Sequence, residues 1–367
     1  MHPGKSGKMQ YKEKFEKTYQ GKKVLLTGHT GFKGSWMLCW LQQLGAIVKG
    51  YALKPEQDNG LYCLINGDSL CDSIIADIRD AKRVKDEILS FQPDFIFHFA
   101  AQPLVRLSYE QPAETFDINV MGTLHILDAL RALQKPCTAV LITTDKVYDN
   151  KEADYHYKET DPLGGYDPYS ASKACAELVI QSYRNSFFNP NDHALHQKAI
   201  GSARAGNVIG GGDRAKDRII PDIIRSLEKN EPVAVRNPNA VRPWQHVLEP
   251  LSGYLLLGAK LQQEPQLYSS AWNFGPQNDD TLTVKEVVEQ SLSYWKSGAY
   301  NTPQLAKQPH EAGLLKLDIS KAITKLDWQP KWDTAIAIRK TLEWYKNVSA
   351  KNAAAYTASQ INEYQDL

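Results

Sequence analysis

From residue 22 to about 205 the chain alternates between short apolar runs and longer segments of helical periodicity. KVLLTG (23–28), IVKGYAL (47–53), FIFHFAA (95–101), TAVLITT (138–144) and AIGSARAG (199–206) read as buried strands. Between them lie four predicted helices: GSWMLCWLQQLG (34–45), ended by Gly45; a polar segment near 80–91; AETFDINVMGTLHILDALRAL (113–133); and YSASKACAELVIQSYRNSF (169–187). Strands this apolar, spaced by helices, predict a parallel sheet covered on both faces, an α/β doubly wound fold. In such sheets ligands bind beyond the carboxyl ends of the strands.

After about 206 the pattern loosens, and Gly, Pro, Arg and Trp become frequent in GNVIGGGDRAKDRIIPD, NPNAVRPWQHV and WNFGP. Shorter elements and more loops predict a smaller substrate-binding domain over residues 206–347, beside a first domain over 21–205. LEPLSGYLLLGAKL (248–261) reads as a helix, and segments such as 245–262 are expected to pack back on the first domain. Residues 1–20 are expected to be flexible, and 348–367 to form a polar, weakly helical tail.

Composition narrows the function classes. A net charge of +1 over 367 residues gives no support to nucleic acid or an acidic membrane as partner. The N-terminus lacks the apolar run of a signal peptide, and no stretch reaches the roughly 18 apolar residues that span a bilayer. The five cysteines include no CxxC pair, which suits reduced thiols in a cytoplasmic protein. His193, His196 and His310 have no metal-ligand spacing with acids or cysteines, so no metal is expected.

Two motifs carry chemistry. TGHTGFKG (27–34) joins a strand to a helix with glycines at 28, 31 and 34. Glycine permits the tight turn and the close approach of backbone N–H groups to a pyrophosphate at the helix N-terminus. His29 and Lys33 are large for such a loop. Lys33 either pairs with a phosphate, obstructs it, or is a solvated lysine. No acid ends the second strand, so the local residues do not separate NAD from NADP; Asp77 follows later. In YSASK, Tyr169 and Lys173 share one helical face. A nearby ammonium, with an oxidised nicotinamide, lets a tyrosine act as a base.

TGHTGFKG, DIRD, FHFAAQ, ITTD, YSASK and WNFGP together resemble the extended short-chain dehydrogenase/reductase family, over roughly residues 22–345. The resemblance implies a Rossmann-type fold and bound NAD. It implies a cofactor site built from Gly28, His29, Thr30, Gly31, Phe32, Lys33, Asp77, Ile78, Phe99, Ala100, Ala101, Gln102, Thr143, Tyr169 and Lys173. Thr144 is implied to hydrogen-bond the reacting hydroxyl and Tyr169 to take its proton. A homodimer paired through the 113–133 and 169–187 helices is implied too.

Within that family, nucleotide-sugar 4,6-dehydratases often carry Thr-Asp-Glu or Thr-Ser-Glu where this chain has Thr144-Asp145-Lys146. The variant resembles the dehydratases that act on CDP-glucose in making deoxysugars for surface polysaccharide. The base is implied by this resemblance alone. Oxidation at sugar C4 makes the C5 proton acidic; a base must take it, and an acid must protonate the departing C6 hydroxyl. Asp145 suits the acid and Lys146 the base, as a pair that shares its protons; an ordinary Asp–Lys contact is the plain alternative. Asn207, Arg218 and Arg242 suit a substrate clamp, the arginines for its diphosphate. His246 either meets the nucleotide or packs. A nucleotide-sugar 4-epimerase and a non-catalytic dinucleotide sensor are the competing functions; Tyr169, Lys173 and Asp145 argue against the sensor.

Overall fold

The computed structural model describes residues 11–277, 280–303 and 313–367. Seven strands form one sheet: β1 (Lys23–Thr27), β2 (Ile47–Ala52), β3 (Asp72–Ile75), β4 (Phe95–His98), β5 (Cys137–Ile142), β6 (Lys198–Ala205) and β7 (Ala271–Phe274). Their spatial order is β7-β6-β5-β4-β1-β2-β3, and every pairing is parallel. The order reverses between β1 and β4, so a crevice opens beyond their carboxyl ends. The sheet is the Rossmann-type arrangement, with smaller C-terminal α/β elements beside it.

β4, β5 and β6 are buried at every residue, which explains their unbroken apolar runs. β3 and β7 were not predicted. β3 is short, and its residues are half-buried or exposed. WNFGP, expected in the second domain, instead supplies β7, which pairs with β6 through Ala271↔Ser202 and Phe274↔Ala205. The helix Leu248–Gln263 packs on β5 and β6, with Leu255, Leu256 and Leu257 fully buried.

Residues 113–133 are one helical run by pattern, and Pro112–Ala132 is one continuous helical path with a π-helical turn inside it. Helices Pro112–Phe116 and Gly122–Ala132 flank a π-helical turn, Asp117–Met121. The turn places buried Asn119 to donate to the Gln102 carbonyl and to Ser172.

Neither described end is loose. Tyr11–Tyr19 is a helix with Phe15 and Tyr19 fully buried, and the Tyr19 hydroxyl donates to the Leu255 carbonyl at 2.6 Å. The aromatics at 11, 15 and 19 fall on one helical face, which overrides the polar composition. Ala353–Gln365 is also a helix, and it buries Ile361 and Tyr364. The Tyr364 hydroxyl donates to Glu249 at 2.6 Å. No described helix is long and apolar enough to cross a membrane.

Candidate active site

β1 delivers the chain into the glycine turn. Gly28 has φ +73, and a Cβ there would lie 2.8 Å from the Ala100 nitrogen. A Cβ at Gly34 would collide with the Gly28 carbonyl. The helix Phe32–Gln43 begins at Gly31 with no side-chain cap, so its first N–H groups are left for a ligand. The Thr27 hydroxyl accepts from Phe99 and Ala100 N–H, both at 3.1 Å, and fixes the end of β1 against that of β4.

β5 delivers the second motif. Beyond Ile142 the Thr144 oxygen caps the single turn Asp145–Val147, accepting from the Lys146 N–H. The same hydroxyl donates to Asp145 Oδ1 at 2.9 Å, and Lys146 Nζ donates to that oxygen at 3.2 Å. The helix Pro168–Ser186 starts beside this turn. Asp167 caps it, accepting from the Ser170 N–H at 2.9 Å, and Pro168 fits its first position. Tyr169 and Lys173 follow one turn apart, both buried.

Electrostatics here follow burial. Burial pushes Tyr169 up to about 12; the Thr144 hydrogen bond and the nearby Arg218 pull it down, while Asp145 pushes it up. Burial therefore favours the phenol over the phenolate. Burial pushes Lys173 down to about 8, against the pull of Glu177, and its Nζ donates to the Ile142 carbonyl at 3.3 Å. Lys33 is half-buried on the cleft wall. Burial, with Arg218, Lys173 and Lys146 nearby, pushes it down to about 7 against the pull of Asp145.

A buried ion pair supports the motif from behind. Glu177 meets Arg204 at 2.9 Å and also accepts from Thr143 and Ser202 at 2.6 and 2.8 Å. This network ties the catalytic helix to β6 and to the residue just past β5. YSASKACAE carries the signal, because Glu177 lies one turn beyond Lys173, but the sequence reading overlooked it.

One cleft, with about 610 Å³ open to the centre of a water molecule, gathers most of the expected residues. Gly28, Thr30, Gly31, Phe32, Lys33, Asp77, Ile78, Phe99, Ala100 and Ala101 line it, as do Thr143 to Lys146, Tyr169, Lys173, Asn207, Arg218 and Arg242. Arg218 pairs with Asp213 at 2.9 Å, and Arg242 donates to the Gly313 carbonyl at 2.7 Å. Asp77 is held below the usual carboxylate range by Arg79, whose guanidinium meets it at 2.6 Å. Lys54, just past the second strand, lines the cleft; the reading missed Arg106, Arg214 and Arg236, which also line it.

Three expected residues do not line it. His29 is buried under the turn, with Nε2 2.8 Å from Ser73 Oγ and the ring against Tyr62; burial pushes it down to about 4. Gln102 spends its side chain on Thr115 and on the Leu104 N–H. His246 is fully buried between Trp36 and Trp332, which decides for packing. His310 lies outside the described residues.

Comparison with known proteins agrees with this geometry. Residues 25–341 match the GDP-mannose 4,6 dehydratase family, and the chain belongs to that family of NAD-dependent nucleotide-sugar dehydratases and epimerases. The particular relative is equally plain. The chain is 50% identical over 347 residues to the CDP-glucose 4,6-dehydratase of Salmonella typhimurium, covering 94% of this chain and 97% of that one. It is 26% identical to the dTDP-D-glucose 4,6-dehydratase of Mus musculus, with 89% of each chain covered. The solved structure of Thermus thermophilus UDP-glucose 4-epimerase with NAD superposes with a TM-score of 0.76 at 23% identity, over 89% of this chain and 100% of that one. The dTDP-glucose 4,6-dehydratase DesIV of Streptomyces venezuelae superposes at 0.75 and 23% identity, over 88% and 97%.

Proposed function

We infer that this chain is a dehydratase that converts CDP-D-glucose to CDP-4-dehydro-6-deoxy-D-glucose and water, using NAD, in deoxysugar biosynthesis. The observation that carries the reading is the junction of Thr144-Asp145-Lys146 with Tyr169 in one cleft. An oxidation alone has no use for the extra acid and amine. The 50% identity with the Salmonella enzyme supports cytidine as the base.

The residues fit NAD. Gly28 and Gly34 have no room for side chains, the helix N-terminus is uncapped, and Asp77 and Ile78 line the cleft with them. Gly28, Thr30, Gly31, Phe32 and Lys33 would hold the pyrophosphate side, and Lys173 the nicotinamide ribose. Bound there, NAD would supply a hydride acceptor for sugar C4 and the same hydride for C6. Tyr169 takes the C4 hydroxyl proton, with Thr144 orienting that hydroxyl. Lys146 removes the C5 proton. Asp145 protonates the C6 oxygen, which departs as water. Arg218 and Arg242 hold the diphosphate, with Asn207 beside them.

The same reading makes the protein a cytoplasmic homodimer with no nucleic-acid partner. Phe116 and Met121, on the 113–133 segment, and Leu178 and Phe187, on or just past the catalytic helix, are exposed, which supports pairing through those faces. All five cysteines are free, as a reducing compartment favours.

The test is a panel of CDP-, UDP-, GDP- and dTDP-glucose, with products read by mass. Loss of one water from CDP-glucose, in preference to the others, is the expected result. An isomer of unchanged mass means an epimerase, and no turnover with retained dinucleotide binding means a sensor.

A further inference from the structure

A second, much smaller cavity shares Asp145 and Gly206 with the cleft. About 10 Å³ of it is open to the centre of a water molecule, and Gln245 and His156 line it as well. Such a volume holds about one water, provided that two to four polar groups meet it.

Those groups are present. Asp145 Oδ2, Gln245 Oε1 and His156 Nε2 are buried and have no hydrogen-bond partner among the described residues. They come from three separate segments. Asp145 and Gln245 are each 1% exposed. The orientation of Gln245 is fixed, because its Nε2 donates to two carbonyls, Gly206 at 3.3 Å and Phe274 at 3.2 Å. Its Oε1 is therefore an acceptor that cannot be exchanged for a donor by flipping the amide. Leaving each such group unpaired costs about 1–3 kcal/mol, which packing alone does not offset. Gly206 makes the room: a Cβ there would collide with Asp145 Oδ2.

On the dehydratase reading, the proton balance supplies a task for this site. Oxidation at C4 leaves the hydroxyl proton on Tyr169. In the elimination the C5–H bond breaks and its proton goes to Lys146. The C6–O bond breaks, and its oxygen leaves as water with the proton of Asp145. The C5=C6 bond that forms is then reduced at C6 and protonated at C5 by Lys146. One turnover therefore ends with Tyr169 one proton rich and Asp145 one proton short; Tyr169 gives its proton to the solvent of the open cleft once product leaves, and Asp145 must take one up.

Asp145 Oδ1 is a poor place for the missing proton, since Thr144 and Lys146 both already donate to it. Oδ2 has no hydrogen-bond partner among the described residues, and Asp145 lines the small cavity. His156, itself half-buried, lines that cavity from the short strand His156–Tyr157, which pairs with Lys316–Leu317. An imidazole with one nitrogen buried and one edge in solvent can pass a proton inward. We propose that one water held by Gln245, His156 and Asp145 Oδ2 forms a rear proton path that reloads the acid from His156 after each turnover. Gln245 and His156 are positioning and relay residues, and neither touches the sugar.

The experiment compares a single turnover with steady state in NAD-loaded enzyme acting on CDP-glucose. Asp145 is loaded before mixing, so His156→Gln and Gln245→Met should keep single-turnover rates within about twofold of wild type. Their steady-state kcat should fall at least about tenfold, within the range of proton-transfer effects. Imidazole added to His156→Gly should restore its steady-state rate. Unchanged kcat in both variants overturns the proposal and leaves proton return to Thr144. A parallel fall in both rates, or no restoration by imidazole, also overturns it, since a structural defect behaves so. Wild-type enzyme that yields no 6-deoxy product would instead refute the dehydratase reading itself.

Discussion

Lys146 Nζ lies 3.2 Å from Asp145 Oδ1, and the two partners differ sharply in exposure: the Asp145 side chain is 1% exposed and that of Lys146 24%. The carboxyl is pinned by its surroundings, while the amine reaches into the cleft from a turn that Thr144 caps. A contact built only for stability would gain little, since half-exposed ion pairs contribute about 0–1 kcal/mol. The arrangement makes sense as an acid and a base that meet one sugar at neighbouring carbons.

Tyr169→Phe should lower kcat by at least about 100-fold while leaving KM near its wild-type value. The phenol oxygen acts on the reacting hydroxyl, whereas binding is spread over the arginines and the glycine turn. Steady-state kinetics on CDP-glucose check this. Near-normal kcat would remove Tyr169 as the base.

Arg242→Ala should raise KM much more than it lowers kcat. A diphosphate clamp binds ground state and transition state alike. An unchanged KM would mean that the diphosphate sits elsewhere in the cleft.

Glu177→Ala should destabilise the fold by about 3–5 kcal/mol, because it leaves the Arg204 guanidinium buried without its carboxylate. Denaturant unfolding reads this directly. A loss well below 1 kcal/mol would show that the pair is not what joins the catalytic helix to β6.

Stability should also depend on pH through Glu249. Burial pushes this carboxyl up to about 7, although it accepts from the Tyr364 hydroxyl and from the Lys331 and Trp332 N–H groups. Its value unfolded is near 4.3. Between these values the folded state holds the extra proton, so stability falls as pH rises through that window, by at most about 1.4 kcal/mol per pH unit. Glu249→Gln should remove that slope. Melting temperatures of both proteins from pH 5 to 8 test it, and equal slopes would contradict it.

Much of the fold was legible because buried parallel strands leave unbroken apolar runs. Five of the seven strands have that signature. β3 lacks it because it is short and partly exposed, and β7 because four residues in a Gly- and Pro-rich setting look like loop. The terminal helices were hidden by composition, although Phe15, Tyr19 and Tyr364 anchor them. In the site, the family resemblance located Thr144-Asp145-Lys146, and spacing located the Tyr169–Lys173 face. Spacing does not tell which side of a turn a side chain takes. His29, Gln102 and His246 therefore sat in the right segments but faced the core. Gly206 and Gln245 gave no local signal, since their importance comes from the Asp145 carboxyl that folding brings against them.

The central claim is that Lys146 removes the C5 proton. The most direct measurement is deuterium exchange at C5, with product formation, for Lys146→Met in heavy water. The account predicts that C4 is still oxidised, that C5 exchange falls by about 100-fold or more, and that little 6-deoxy product forms. Exchange and product at near wild-type rates would contradict it and assign the base to another residue.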